Sequence, residues 1–378
     1  MKVLMIELFL PESNYTLELG RELGKKTELT VFCRRGAAAA EKNIRWIDRF
    51  YRGGKGKAAA MAGYAKGLFD LYREIRRGHY QVVHVQTFKS AGFEIPLYIR
   101  LKPYAGLLVH TVHNLLPHEA KSSDRKLYRR FYRACDLLIV HNEHCKQLLK
   151  NDYGISEDKI LVIPHGAYTL VSRTEKALRR TEGKTRFLQF GIFRKYKGID
   201  ILLEAVSGLP EEWRSRMHFV IAGARHRKLD DTDYEGMIKQ LGIEKMVTLR
   251  ESHIPDEELG DLFGQADICL FPYREIYGSG ALLMAYTYGK PVIASDIPVF
   301  REETENGETG LLFESENPEA LRRALIEAAS WTDEEYDRRV SRMNALTMEK
   351  YNWKKAAGTL AEAYKREWEK KTQKISSY

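Results

Sequence analysis

Cysteine is scarce in this chain. Its 378 residues include four, Cys33, Cys135, Cys145 and Cys269, and no two stand at a CxxC or other ligand spacing. That excludes a disulfide framework and a thiolate metal centre, and leaves structural cysteines in a reducing compartment, the cytoplasm. Long apolar runs are missing too: none approaches the roughly 18 residues that a membrane span needs. The opening MKVLMIELFL is apolar but holds Glu7 and stops at Pro11. Lacking a basic start and a small-residue cleavage site, it reads as a first buried strand and not as a signal peptide. No GxGxxG follows that strand, so the dinucleotide fingerprint is absent. No His/Asp cluster stands at ligand spacing, and the acidic run Asp230-Asp231-Thr232-Asp233 reads as a solvated loop, so no metal site is expected. Fixed-period repeats and long low-complexity tracts are absent as well.

What is present begins with an uneven charge. The chain carries 61 Lys and Arg against 52 Asp and Glu, a net charge of +9. Residues 1–170 hold 28 against 17, net +11, while the remaining 208 hold 33 against 35, net −2. The excess positive charge therefore lies in the first part, which favours an anionic partner there: nucleic acid, acidic lipid or a phosphate-bearing substrate. The composition, 44% hydrophobic and 30% charged, is that of a globular protein. The length suits two domains.

Strand and helix signals alternate along both parts. Strands are expected at Lys2–Leu8, Leu29–Phe32, Val82–Gln86, Leu107–Val112, Leu137–Val140 and Ile160–Ile163, then at Phe187–Phe190, His218–Ala222, Met246–Leu249, Ile268–Phe271 and Val292–Ala294. Helices are expected from about Tyr15 to Leu23, from Ala58 onward, over Arg125–Arg133 and Ile199–Val206, after Ile254 with a capped start, and over Pro318–Ser330. A last helix is expected from Trp353 to about Lys371. This alternation predicts the α/β class, with two doubly wound Rossmann-like domains facing a cleft. The first domain would span 1–170 and the second 180–350, across a charged linker at 168–184, with a helical tail at 351–378. The helix from Ala58 is amphipathic, with Met61, Tyr64, Ala65, Leu68, Phe69 and Tyr72 at helical spacing and Lys and Arg opposite. It reads either as a helix packed on the sheet or as a membrane-surface patch. The basic-aromatic stretch RKLYRRFYR, 125–133, could touch phosphates, but no nucleic-acid recognition motif accompanies it and no nucleic-acid partner is expected.

One stretch carries the most specific chemistry, Ala266 to Asp296, ADICLFPYREIYGSGALLMAYTYGKPVIASD. A short strand ends at Pro272. Gly278, Ser279 and Gly280 then make a small-residue turn, and Ala281 to Tyr288 reads as a buried helix stopped by Gly289 and Pro291. Free N–H groups and the helix dipole at such a start favour an anion, and a phosphate or diphosphate is the expected ligand. Ser279, Gly280 and Ala281 would supply the N–H groups. Arg194 and Lys197, in the basic loop GIFRKYKG after strand Phe187–Phe190, could bind the same diphosphate and support its charge on departure. Their bland reading is a solvated basic loop. His113 lies just past a strand's carboxyl end, where open α/β sheets bind ligands, whereas His110 faces the opposite side by strand alternation. His118 and Glu119 could orient an acceptor hydroxyl or simply start a helix. Ser13 and Asn14, in the first strand's loop, read equally as a helix N-cap and as a ligand contact.

These stretches resemble the family-4 retaining glycosyltransferases of the GT-B fold. In the signature Pro-Ser-x-x-Glu-Pro-Phe-Gly-Leu-x-x-x-Glu-Ala-x-x-x-Gly-x-Pro-Val, the residues Pro272, Ala285, Gly289, Pro291 and Val292 match without a gap. The two glutamate positions hold Ile276 and Met284, and Glu275 stands one place before the first. The family pattern Gly-Arg-x-x-x-x-Lys-Gly is met at Gly191, Lys197 and Gly198. Ile192 holds the arginine position, with Arg194 two residues later as its candidate substitute. Thr111-Val112-His113-Asn114 resembles the motif whose histidine lies near the donor sugar's C6 hydroxyl.

The resemblance implies a hexosyltransferase that moves a sugar from a nucleotide-sugar donor, with retention, no cofactor and no essential metal. Its last helix would return to the first domain. The implied catalytic set is His113, Glu275, Arg194 and Lys197. Gly191, Gly223, Tyr273, Ser279, Gly280 and Ala281 would join the two cations around the donor, and Ser13, Asn14, His118 and Glu119 would lie on the acceptor side. Met284 cannot accept a hydrogen bond from a ribose, and Glu251 is a candidate to do so instead. The basic first domain fits a phosphate-bearing glycolipid or glycan acceptor at the inner face of the cell membrane, as in cell-surface polysaccharide synthesis. The alternatives are a GT-B enzyme making a sugar phosphate or disaccharide, and a non-catalytic sugar-nucleotide or partner-binding protein.

Overall fold

The computed structural model describes residues 1–9, 14–39, 41–50, 56–117, 122–169, 183–226 and 228–376. It divides into two compact units, Met1–Gly166 with Asn352–Tyr378, and Ala167–Tyr351. The domain boundaries expected at 170 and 351 thus fall at 166 and 352.

The first unit is built on strands β1 (Lys2–Glu7), β2 (Glu28–Arg34), β3 (Ile44–Phe50), β4 (Val82–Val85), β5 (Leu107–Thr111), β6 (Leu137–Val140) and β7 (Ile160–Val162). All pair in parallel, in the order β3-β2-β1-β4-β5-β6-β7. Helices α1 (Tyr15–Leu23), α2 (Lys57–Gly78), α3 (Ala91–Leu101), α4 (Ser122–Ala134) and α5 (Glu143–Tyr153) form the connections. Strands β4, β5 and β6 are buried along their whole length. That is why they read as continuous apolar runs and not as alternating ones. The edge strand β3, IRWIDRF, was absent from the sequence expectation because Arg45, Asp48 and Arg49 interrupt its apolar residues.

The second unit repeats the plan with β8 (Thr185–Phe190), β9 (Met217–Ala222), β10 (Val247–Arg250), β11 (Ile268–Phe271), β12 (Val292–Ser295) and β13 (Gly310–Phe313), parallel throughout in the order β10-β9-β8-β11-β12-β13. Helices α6 (Ile199–Ser207), α7 (Glu211–Arg214), α8 (Tyr234–Gln240), α9 (Asp256–Gly264), α10 (Gly280–Thr287), α11 (Pro298–Glu303), α12 (Pro318–Ala329) and α13 (Asp333–Glu349) surround the sheet. The strand order reverses between β8 and β11, and open α/β sheets bind ligands at the carboxyl ends flanking such a point. Helix α9 differs from expectation in its start: Pro255 occupies the N-cap and no side chain caps it.

The last helix, α14 (Trp353–Ser376), belongs to the first unit, as the GT-B resemblance implies. Trp353, Ala357, Leu360, Ala363 and Tyr364 are buried in the same core as Val3, Leu19 and Val109. Glycines let it lie close: a Cβ on Gly166 would meet the Trp353 ring at 2.3 Å, and one on Gly106 the Trp368 ring at 2.4 Å. If this docking is part of the core, Leu360→Ala should lower unfolding stability by about 2–5 kcal/mol in urea titrations. A loss below about 0.5 kcal/mol, usual for a surface position, would mean that α14 contributes little to the core.

Candidate functional site

In the second unit, two loops meet at the topological switch point. The loop after β8, residues 191–198, carries Arg194 and Lys197. The loop after β11, residues 272–279, leads into α10. They are stitched together by the backbone N–H of Arg274, which donates to the Tyr196 carbonyl at 2.7 Å. The Arg274 guanidinium adds bonds to the Lys195 carbonyl at 2.7 Å and to Asp200 at 2.6 and 3.1 Å. Gly198, at φ 63°, permits the contact, since a Cβ there would stand 1.9 Å from the Pro272 carbonyl oxygen. Gln189 donates to the Lys197 carbonyl at 2.9 Å and so ties the loop to its own strand.

This stitching buries Lys197, which keeps only 9% of its surface exposed. Its ammonium lies 5.2 Å from the centre of the Tyr273 ring and packs against Gly191, where a Cβ would come within 2.4 Å of Nζ. No carboxylate among the described residues is paired with it. Burial first, and then the charge of Arg194, pushes its pKa down to about 8. A lysine in this setting gains from an incoming anion, which supplies the missing counter-charge.

Helix α10 starts beside Tyr273. Ser279 is its N-cap, and the hydroxyl oxygen accepts the Leu282 N–H at 3.1 Å. The N–H of Ser279 itself is taken by Glu303, whose Oε1 accepts it at 3.4 Å. Of the three amides expected to face a diphosphate, those of Gly280 and Ala281 remain without an acceptor among the described residues, and Ser279 acts as the cap. Glu303 was not foreseen. It is 7% exposed, Oε2 has no partner, and burial pushes its pKa up to about 8, so the carboxyl is protonated near neutral pH. Its main-chain carbonyl accepts the hydroxyls of Tyr286 and Tyr351, which fixes the end of α11 against α10.

The other expected donor-side residues take different places. Glu275 is exposed and lines a concavity with Lys195, Tyr196, Asp200, Tyr234 and Arg274, whose wall does not include Lys197. Gly223 is scaffold: its N–H donates to the Arg250 carbonyl, and Gly191 donates to Ala222 beside it. Met284 packs on the core, and Glu251 is engaged by Arg225 at 2.6 Å.

In the first unit, His113 joins a cluster that the sequence did not suggest as a group. His141 and His165 stand past the ends of β6 and β7, and all three rings surround Tyr15 at centroid distances of 4.7, 5.2 and 5.0 Å. His113 bonds on both nitrogens, to Gln86 at 3.2 Å and to His141 at 3.3 Å. Burial holds these imidazoles neutral: His113 falls far below its ordinary value, His141 to about 4 and His165 to about 3. His110 faces the other side, bonded to the Val85 carbonyl and packed on Phe131, as strand alternation predicts. Asn14 occupies the N-cap of α1 but its side chain makes no cap bond. Ser13, His118 and Glu119 lie outside the described residues. Tyr128, Phe131 and Tyr132 of α4 are core residues, and Arg129 bonds the Asp152 carbonyl at 2.7 Å. Among the described residues no group of three or more His, Cys, Asp and Glu could hold a metal ion, and no helix is long and apolar enough to cross a membrane.

Comparison with known proteins agrees with both halves of this architecture. Residues 172–346 match the family model of group 1 glycosyl transferases, and residues 13–169 match that of Glycosyltransferase Family 4. A D-inositol 3-phosphate glycosyltransferase of Corynebacterium aurimucosum is 27% identical over 327 residues, covering 80% of this chain and 76% of the relative. Sucrose-phosphate synthase from Thermosynechococcus elongatus superposes with a TM-score of 0.75 at 18% identity, over 96% of this chain and 98% of that one. Anabaena HepE, solved in complex with UDP and glucose, superposes with a TM-score of 0.74 at 16% identity, over 97% of this chain and all of the other, 100%. With both parts of the chain matched in order and both sheets in place, the protein belongs to the group 1 glycosyltransferases of the GT-B fold.

Proposed function

We propose that the protein transfers a hexosyl group, with retention, from a nucleotide-sugar donor to a phosphate-bearing acceptor. The observation that carries this reading is the buried ammonium of Lys197, without a carboxylate partner among the described residues and placed in the loop stitched to the start of α10. The donor's diphosphate would lie on Lys197, Arg194 and the N–H groups of Gly280 and Ala281. As the bond from the anomeric carbon to the phosphate oxygen breaks, these groups stabilise the charge left on phosphate. The acceptor oxygen attacks from the face the diphosphate leaves, and its proton passes to a phosphate oxygen. No side-chain nucleophile is required, in keeping with an exposed Glu275 and a protonated Glu303. His113 contacts the sugar. The cations and amides do the work that a divalent metal does elsewhere, so turnover should persist in EDTA. The UDP and glucose of the HepE complex support a nucleotide-sugar donor.

For the acceptor, two sources of phosphate are favoured by different observations. The named relatives act in the making of a glycosylated inositol phosphate and a sucrose phosphate, which favours a soluble sugar or cyclitol phosphate. The surface of α2 favours a glycolipid at the inner face of a membrane. Gly67, Leu71 and Ile75 bury one side of this helix. Yet the opposite side shows Ala58, Met61, Ala62, Ala65 and Phe69, with Met61 73% and Phe69 57% exposed and Arg73 and Arg76 following. A solvated helix normally carries polar residues there. An apolar stripe flanked by arginines suits an anionic bilayer surface.

Two outcomes are expected. Lys197→Ala should weaken nucleoside-diphosphate binding by at least about tenfold, the scale of a hydrogen bond to a charged group. It should leave the unliganded melting temperature equal or higher, because a buried uncompensated charge is removed. In the parent protein, affinity should fall as pH rises above about 8, by up to about tenfold per pH unit, because Lys197 must be protonated to bind, and the variant should lose this dependence. Calorimetry across pH 7–9.5 measures both, and equal affinities for the two proteins would contradict the reading. Separately, Met61→Ser with Phe69→Ser should cut co-sedimentation with phosphatidylglycerol vesicles several-fold, in a salt-sensitive manner. Equal binding to neutral vesicles, with transfer only to soluble sugar phosphates, would assign the acceptor to the soluble class.

A further inference from the structure

A continuous line of hydrogen bonds runs through the first unit from α14 to the end of β7. Tyr364 Oη lies 2.5 Å from His84 Nδ1. His84 Nε2 lies 2.8 Å from Thr111 Oγ1 and 3.4 Å from the Gln86 carboxamide. The other end of that carboxamide lies 3.2 Å from His113 Nε2. His113 Nδ1 lies 3.3 Å from His141 Nε2, and His141 Nδ1 lies 2.9 Å from the Ile163 carbonyl oxygen.

The last partner fixes the sense of the whole line. A carbonyl oxygen only accepts, so His141 must carry its proton on Nδ1. A neutral imidazole has one N–H, and burial keeps both rings neutral, with neighbouring histidines adding to it at His113. His141 Nε2 is therefore an acceptor, and His113 must donate to it from Nδ1. That leaves a lone pair on His113 Nε2. The Gln86 amide is placed with Oε1 toward His113 and its nitrogen toward His84; a lone pair on His113 Nε2 requires the reverse, with the nitrogen facing His113, an orientation that fits the same space. The Gln86 oxygen then faces His84, which donates from Nε2 and accepts the Tyr364 hydroxyl at Nδ1. With Gln86 so turned, every donor in the line points toward Ile163.

We propose that His141 is a positioning residue that holds His113 as the Nδ1–H tautomer, so that His113 meets a substrate hydroxyl as a hydrogen-bond acceptor. This rests on the reading that His113 contacts the sugar. Gln86 occupies the lone pair in the unliganded protein, and a substrate O–H would replace it. A site of this kind prefers a hydroxyl, which donates, over a fluorine or methyl ether at the same position, which cannot. Neither Gln86 nor Tyr364 sets the tautomer, because both lie on the far side of His113 from the carbonyl.

Nitrogen NMR of protein labelled at histidine reads the tautomer directly. The parent protein should show His113 and His141 protonated at Nδ1. His141→Phe removes the acceptor, and His113 should switch to Nε2–H, now donating to the Gln86 oxygen. His141→Gln, whose side-chain oxygen can still accept, should retain the Nδ1–H form. Tyr364→Phe, at the far end, should leave His113 unchanged. Transfer should follow the tautomer, with kcat/KM reduced about tenfold or more in His141→Phe and within about threefold of the parent in His141→Gln. An Nε2–H His113 in the parent, or no switch in a folded His141→Phe, overturns the proposal; should His141→Phe not fold, the parent spectrum and His141→Gln still decide. A correct tautomer with no sugar-nucleotide binding would leave the positioning intact and remove the proposed reaction instead.

Discussion

The second unit is organised around a cation buried, among the described residues, without a counter-charge. Holding the Lys197 ammonium at its site costs about 3 kcal/mol, judged from the fall of its pKa from 10.5 to about 8. Such a cost persists only when the surrounding structure leaves the side chain no alternative. Here the surroundings are the stitch from Arg274 to Tyr196, the close approach of Gly198 to Pro272, and the Gln189 bond to the Lys197 carbonyl. Each of these fixes main chain and none neutralises the ammonium. On the proposed reading the remaining partner is a ligand, and the Gly280 and Ala281 amides, without an acceptor among the described residues, favour an anion there.

The first unit handles its polar residues in the opposite way. Burial holds four of its histidines neutral, and each finds a partner: His84 on Tyr364 and Thr111, His110 on Val85, His113 on Gln86 and His141, His141 on Ile163. Part of its excess positive charge lies on exposed lysines and arginines of α2 and α4. On the proposed reading, one unit takes up an anion at Lys197, and the other directs hydrogen bonds internally while presenting basic helices outside. A transferase that must hold a departing diphosphate and orient hydroxyl groups needs both.

Much of the frame could be read from the residues, and the reasons are local. Strands β6 and β11 are short apolar runs between clear stops, and their ends agree with expectation to the residue. Helix α10 announced itself through Gly280 at its start and Gly289 and Pro291 after it. Strand β3 escaped because an edge strand tolerates charges, and α3 because Pro96 lies inside it. Of the candidate site, Lys197 stood out in the sequence because it meets the family pattern with Gly191 and Gly198, and the structure buries it where a solvated loop would expose it. Glu303 did not, since a glutamate in the run Arg301-Glu302-Glu303 looks like solvated charge until the fold turns it inward. Nor did the histidine cluster, whose members stand at 113, 141 and 165 and meet only when parallel pairing brings the ends of β5, β6 and β7 side by side. Glu275, one place before a signature position, is exposed and lines a concavity that does not include Lys197.

The most direct test of the account is a crystal structure of the protein with a nucleoside diphosphate bound. The account predicts diphosphate oxygens within about 3 Å of Lys197 Nζ and of the Gly280 and Ala281 nitrogens. A diphosphate bound elsewhere, with the Lys197 ammonium still resting on the Tyr273 ring, would contradict it.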